Sequence, residues 1–510
     1  MSTEVRILAG LETEFGITRD TEPGEELDVV AESIAVVRAA ACGGARMCWD
    51  YRCEDPHQDT RGFRVDALRQ DTDESGYLEQ DAQRPLTFAE IKSDRALTNG
   101  GRFYNDHAHP EYCTPECAGP DDLVAHDRAG ERWVMDGARR LAAERGRAVR
   151  IHKNNTDYLG HSYGCHENYL LPRSLGWDDL CAGIEAFLVT RSVFCGTGKF
   201  GVEDEDRFVG PGFQLSQRAD FFRVRQSVDT MQERPLINTR DEPHADPARW
   251  RRFHVILGDS NLSGFATRLK VASTALVLEA LVRDPGLVRG LPRLADPLAA
   301  FRSISRDPSF RWEVALEGGG VSKALEVQRA YLAAVIARVD PSRSAWAEVL
   351  GDWEAVLADL AADPGLCSDR LDWVAKRALI RAFQEEEGID DDDPWLRSLD
   401  LAYSLLDPAD GLHAGLEASG SMRMPVEEHA VETAMREAPQ DTRAAVRGAC
   451  LERFPEAILA AQWDHVVLRT RRGPFRVDLT GLFEPSAVRE RLRWIQAAAD
   501  PNALAASWNP

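Results

Sequence analysis

The chain has 510 residues, 44% of them apolar and 28% charged, the composition of a folded globular protein long enough for a large core and two to four domains. Its 84 acidic residues outnumber 61 basic ones, for a formal charge of −23, so it lacks the electrostatic footprint of a sequence-independent nucleic-acid binder. It contains no run of about 18 apolar residues, which excludes a helical membrane span.

At the N-terminus Glu4 and Arg6 fall where a signal peptide would carry its apolar stretch, and a cytoplasmic protein is expected. "EVRILAGLETEFGIT" predicts a strand and "VVAESIAVVRAAA" a helix. From 55 to 92 the chain is polar and without periodicity; it predicts a long, mobile, functional or disordered loop. "ALTNGGRFYNDHAH" predicts a strand entered through an Asn-Gly-Gly turn. Further strands are expected over "RAVRIHKNNTD", "SYGCHENYLL", "FQLSQRADFF" and "RFHVILGD". Residues 272–405 read as mostly helical: in "RLDWVAKRALIRAFQEEEG", Leu371, Val374, Leu379, Ile380 and Phe383 lie close to one stripe, and Gly388 stops the helix. A break near Pro439 precedes a final unit of about 70 residues reading helix, two strands, helix. Ten cysteines with no C-x-x-C pair are expected to be reduced, small apolar residues rather than zinc ligands.

Strand alternation sorts the polar side chains, because residues two apart share a face. Arg102, Tyr104 and Asp106 share one face, and Phe103, Asn105 and His107 the other. A solvated face with an Arg–Asp ion pair is the competing reading for that stretch alone. Glu12 and Glu14 share a face, as do His166 and Asn168, and Arg252 and His254. Oxygen-rich ligands with one or two imidazoles suit Mg²⁺ or Mn²⁺ better than zinc, and guanidinium groups beside them suit phosphate oxygens. No P-loop motif occurs, and "CGTGKF" reads as a turn. An ATP site would therefore be built on sheet residues.

The combination "GLETEFGIT", "RFYNDHAHPEY", "KNNTDYLGHSYGCHENYL", "QLSQRADF", "INTRDEPHADPARWRRFHVILGDSN" and "LKVASTALVLE" resembles the family of enzymes acting on Pup, the small protein modifier of bacterial proteasome systems. The resemblance runs from about residue 7 into the C-terminal unit. The family has a ligase branch and a deamidase/depupylase branch, both similar to glutamine synthetase and the carboxylate–amine ligases. It implies an α+β fold: a glutamine synthetase-like catalytic domain over 1–436, with a curved, mainly antiparallel sheet cradle packed by helices, and a small α/β domain over 437–510. The pair His107-Ala108 in "DHAHPEY", the insertion at 55–92, "WDY" before it and "GLHAGLEASGSM" resemble the deamidase/depupylase branch.

By this resemblance, Glu12, Tyr104, Glu111, His166 and His254 match Mg²⁺-binding positions. Gly10, Leu11, Glu12, Thr13 and Glu14 match a nucleotide-contacting segment. Arg102, Thr114, Arg252 and Trp463 match further ATP contacts, and Asp106 matches the catalytic aspartate. Arg218, Arg240 and His244 could meet the acidic tail of Pup, although an internal ion pair explains them equally well. The implied activity is ATP- and Mg²⁺-dependent hydrolysis of an amide at the C-terminal side chain of Pup, with Pup and pupylated proteins as partners. The alternatives are the Pup ligase reaction through an acyl phosphate, a catalytically silent Pup- or nucleotide-binding protein, and a free-standing amino-acid ligase.

Overall fold

The structure, a computed structural model, describes residues 5–21, 25–69, 79–203 and 208–508. Glu4 and residues 70–78 of the polar insertion lie outside the described residues. Its centre is a seven-stranded sheet made of β1 (Ala9–Glu14), β3 (Ala45–Arg46), β4 (Arg95–Ala96), β5 (Arg102–Asp106), β6 (His109–Cys113), β8 (Cys165–Pro172) and β13 (Trp250–Val255). The order is β13-β8-β1-β6-β5-β4-β3, with every neighbouring pair antiparallel. Smaller two-stranded sheets join β2 (Gly16–Arg19) to β7 (Val149–His152), β9 (Lys199–Glu203) to β10 (Phe208–Gln214), and β11 (Val224–Ser227) to β12 (Pro235–Asn238).

The two faces of the main sheet have opposite character, as alternation requires. Leu11, Tyr169, Leu171, Phe253 and Val255 point into the largest apolar cluster. They meet helices that include α4 (Trp177–Thr190) and α5 (Gly264–Arg283). Seventeen of the twenty α5 residues are buried, so it is a central rather than an amphipathic surface helix. Two more helices complete the scaffold around the first strands, α1 (Val29–Ala39) and α3 (Pro120–Arg145). Alpha3 starts on a proline and ends at Gly146 in the left-handed conformation, φ +68°. The apolar face also carries a buried ion pair, Glu167 with Arg191, both fully enclosed. The opposite face carries Glu12, Glu14, His166, Asn168, Arg252 and His254 and borders open space.

The helix expected near 371–387 is present as α6 (Asp372–Glu387), with Gly388 at φ +66° closing it. Leu371, Val374 and Ile380 are buried, and Leu379 and Phe383 pack at the edges of apolar clusters. "CGTGKF" is the turn into β9. All ten cysteines are free thiols, seven of them buried. Among the described residues no helix is long and apolar enough to cross a membrane.

"FQLSQRADFF" departs from the expected strand. Regular pairing stops at Gln214, because Leu215–Gln217 bond elsewhere: Leu215 N–H donates to the Ser305 carbonyl, Ser216 N–H to Ser305 Oγ, and Gln217 N–H to the Asp259 carboxylate. Those partners satisfy the backbone in place of a ladder.

The described part of the insertion is tied down at both ends. Thr60 N–H donates to the Thr239 carbonyl, Asp241 N–H to the Gln58 carbonyl, and Thr239 Oγ1 to the buried Asp59 carboxylate at 2.6 Å. The return leg forms the short helix α2 (Phe88–Lys92), opened by a Thr87–Glu90 capping box. Arg38 of α1 holds its end by bonds to Ser93 Oγ and the Glu90 carbonyl.

At the C-terminus α7 (Arg443–Arg453) precedes a three-stranded meander, β14 (Ile458–Gln462), β15 (His465–Thr470) and β16 (Gly473–Asp478). Beta14 is an extra strand relative to the two expected. The unit has its own apolar cluster around Val446, Val466, Leu468, Val477, Ile495 and Leu504.

Candidate active site

The sheet register lays the polar side chains in a row across five strands. His254 pairs with Asn168, His166 with Glu12, Glu14 with Glu111, and Glu111 with Tyr104. The cavity over this row measures about 640 Å³. Tyr51, Glu54 and Trp463 line it as well, with Lys92, Arg102 and Asp106.

The five positions expected to bind metal divide into two groups. Glu12, His166 and His254 present ligand atoms within 4.8 Å of one another; Glu111 does so with Glu14 and Asp106 instead. In the first group His166 Nδ1 stands 3.2 Å from Glu12 Oε2, and Asn168 Nδ2 donates to Glu12 Oε1 at 2.9 Å. Burial alone would raise the Glu12 pKa, but the His166 hydrogen bond and the charge of Arg252 outweigh it and hold the carboxyl well below its usual range. His254 is pushed the other way: burial and the adjacent Arg252 keep its imidazole neutral. Its Nε2 is buried with no hydrogen-bond partner, 3.9 Å from Glu12. A neutral imidazole with an unengaged nitrogen beside a carboxylate fits a divalent cation.

In the second group burial and the nearby Asp106, Glu14 and Glu12 carboxylates push the Glu111 carboxyl well above its usual pKa. Three carboxylates this close share a proton or a cation, so this group also fits Mg²⁺. Tyr104 faces Glu111 across the β5–β6 pair, and burial raises its phenol pKa far above normal, so any ligation is by a neutral phenol.

Asp106 has a partner for each oxygen. Lys92 Nζ lies 2.6 Å from Oδ1, and His107 Nδ1 lies 3.2 Å from Oδ2. Burial would raise its pKa; Lys92 and His107 overcome that and keep it well below the usual carboxylate range. His107 corrects the alternation reading. Beta5 ends at Asp106, and His107 enters the two-residue turn with φ +51°. Its ring therefore lines the cavity, while Phe103 and Asn105 stay fully buried on the other face.

The expected nucleotide contacts surround one end of the site. Arg102 donates to Asp94 Oδ1 and, at 2.6 Å, to the Tyr51 hydroxyl. Its guanidinium lies 3.7 Å from the Tyr104 ring centroid and 4.2 Å from that of Trp49. Trp463 packs edge-on against Trp49 at 5.1 Å. A smaller apolar recess lies beside the cavity, lined by Gly10, Leu11, Glu12, Thr114, Arg252 and Trp463. Thr114 Oγ1 accepts the Leu11 N–H at 3.0 Å, which fixes the backbone of this segment. Thr13 is buried on the opposite face of β1. An apolar recess with one indole, opening on guanidinium groups, suits an aromatic base with attached phosphates.

Arg218, Arg240 and His244 all line the large cavity. Arg218 donates to the Ile256 carbonyl and to Ser162 Oγ, and Arg240 to the Val228 carbonyl and Thr230 Oγ1. Backbone and hydroxyl groups, rather than carboxylates, take these bonds, so both cations keep their charge for an anionic ligand. Burial lowers the His244 pKa to about 3, so this imidazole is neutral and contacts a ligand only by hydrogen bonding.

Four positions escaped the sequence reading in their present roles. Glu14 belongs to the second acidic group, and His109 stands 3.5 Å from it while stacking on Tyr163 at 4.3 Å. Lys92 sat in a stretch without periodicity. At Gly164 an added Cβ would meet Glu14 Oε1 at 2.5 Å and His166 Nε2 at 2.6 Å; glycine leaves room for both side chains where they stand. The Gly in "SYGCHENY", between two strand signals, marks such a close approach.

The model of the Pup-ligase protein family matches residues 6–467. A depupylase from Acidothermus cellulolyticus is 43% identical over 472 residues, covering 90% of each chain. The Pup deamidase/depupylase of Mycobacterium tuberculosis is 41% identical over 477 residues, again 90% of each. Among solved structures, the Pup ligase PafA in complex with ADP superposes with a TM-score of 0.69 at 31% identity, covering 85% of this chain and 96% of that one.

Proposed function

The chain belongs to the Pup-ligase protein family, and from that premise we propose that it is a Pup deamidase and depupylase dependent on ATP and Mg²⁺. It hydrolyses the side-chain amide of a C-terminal glutamine on Pup, and the isopeptide bond joining Pup's glutamate to a substrate lysine. The observation that carries this reading is that one cavity brings Asp106 together with both acidic groups, beside an adjoining apolar recess. The hydrolytic branch is favoured over the ligase by the insertion. It is docked on the 239–241 segment, and its return leg delivers Lys92 to Asp106.

Glu12, His166 and His254 would hold one cation, and Glu14 with Glu111 would hold positive charge near Asp106. Bound Mg²⁺ and nucleotide phosphates supply the electrostatic field that polarises the amide carbonyl, a poor electrophile. Trp463, Arg102 and Arg252 would hold the nucleotide, the indole beside the recess suiting its base and the guanidinium groups its phosphates. Arg218 and Arg240 meet the acidic tail of Pup and bring its last side chain over Asp106. Lys92 and His107 keep Asp106 ionised, so the form that accepts a proton from attacking water is the resting form. Direct attack by Asp106 on the carbonyl is the competing role.

Glutamine-ended Pup incubated with the protein, with and without Mg-ATP, tests the reading by mass spectrometry. Conversion to glutamate-ended Pup only with Mg-ATP is expected. Unchanged Pup under both conditions would refute it.

A further inference from the structure

We propose that Lys92 is a positioning residue for Asp106: it fixes the orientation of that carboxylate in the hydrolysis assigned above, on which this inference rests. The contact is a charge-assisted hydrogen bond of 2.6 Å between side chains only 18% and 23% exposed, so solvent screens it far less than a surface pair. Lys92 is itself held rigidly. The capping box fixes the start of its helix, Ser93 ends it in the left-handed conformation at φ +50°, and Arg38 grips that end. Asn105 Nδ2, on the neighbouring strand position to Asp106, donates to the Ile91 carbonyl at 3.1 Å. The helix end is thus bolted to the strand that carries the carboxylate.

Among the described residues no other lysine or arginine side chain hydrogen-bonds Asp106: Arg102 donates to Asp94 and Tyr51, Arg252 pairs with Glu12 and Glu242, Arg218 donates to Ile256 and Ser162, and Arg240, whose charge also reaches Asp106, donates to Val228 and Thr230. Asp106 stands within reach of Glu14 and Glu111, so without Lys92 its Oδ1 loses the hydrogen bond that sets its direction in that crowded group. With Lys92 on Oδ1 and His107 on Oδ2, the carboxylate plane has one orientation. An error of about 1 Å in such a group costs about a hundredfold in rate, and no comparable loss of ground-state binding follows, because Lys92 lies against Asp106 rather than against the nucleotide recess.

The test compares wild type, Lys92→Met and Lys92→Arg on a purified Pup conjugate, with calorimetric ATP titration and thermal unfolding of each. Lys92→Met should lower kcat by about tenfold or more, leave KM and ATP affinity within about twofold, and still unfold in one cooperative transition above the assay temperature. Lys92→Arg should recover most of kcat. An active wild type matched by Lys92→Met overturns this inference alone. So does a loss that Lys92→Arg fails to repair, or one that falls equally on ATP affinity. A wild type that releases no Pup overturns the functional reading and this inference with it.

Discussion

At the scale of single residues, the site is a problem of crowding like charges and relieving them. Glu14, Asp106 and Glu111 crowd together, and Gly164 makes the close approach of Glu14 and His166 sterically possible. Gly164→Ala should therefore displace both side chains and weaken Mg²⁺ binding by about tenfold or more, read by calorimetry in the presence of ATP; unaltered binding would show that the pair shifts freely. Asp106→Asn keeps the shape of the side chain but removes its charge. It should still bind ATP and cleave a Pup conjugate about a hundredfold or more slowly. Much of this was legible in the chain: period-two alternation sorted Glu12, His166, Arg252 and His254 onto the open face without any structure. It failed at His107, since one residue with positive φ ends the alternation, and it could not group Glu111 with Glu14, because register is a property of two strands.

At the scale of elements, charged side chains act as clamps between units. Glu116, just beyond β6, receives Arg443 and Arg447 from α7, each at 2.7 Å. Burial raises the Glu116 pKa, but the two guanidinium groups bring it down from an ordinary 4.5 to about 2. A carboxyl depressed on folding stabilises the native state above its unfolded pKa and loses that contribution as pH falls through the folded value. Glu116→Gln should therefore destabilise by about 3 kcal/mol near neutrality. The gap in unfolding temperature between the variant and wild type should close as pH drops from about 4.5 to about 2. A gap that stays constant with pH would mean the clamp contributes through packing alone. On the apolar face of β8, removing one partner of the buried Glu167–Arg191 pair should cost about 3–5 kcal/mol, measured by denaturant unfolding of Glu167→Gln. The helices and most strands could be read from periodicity and stop signals, as at Gly388. The irregular run after Gln214 could not, because its bonds go to Ser305 and Asp259, far away in sequence. Nor could the anchoring of the insertion, which rests on contacts between Gln58–Thr60 and Thr239–Asp241.

At the scale of the whole molecule, the net charge of −23 sits on a protein whose central cavity concentrates guanidinium groups around an acidic row. That contrast suits a ligand bearing both phosphates and metal ions; with Mg²⁺ held as proposed, chelation should abolish Pup cleavage, and added Mg²⁺ should restore it. The claim that matters most is that this cavity breaks the bond between Pup and its target. A purified Pup conjugate incubated with the protein and Mg-ATP, with free Pup followed over time, measures it directly. Progressive release of Pup by the wild type, and almost none by Asp106→Asn, is expected. A conjugate that persists, while glutamate-ended Pup and free target become joined in the same mixture, would contradict it and make the chain a ligase.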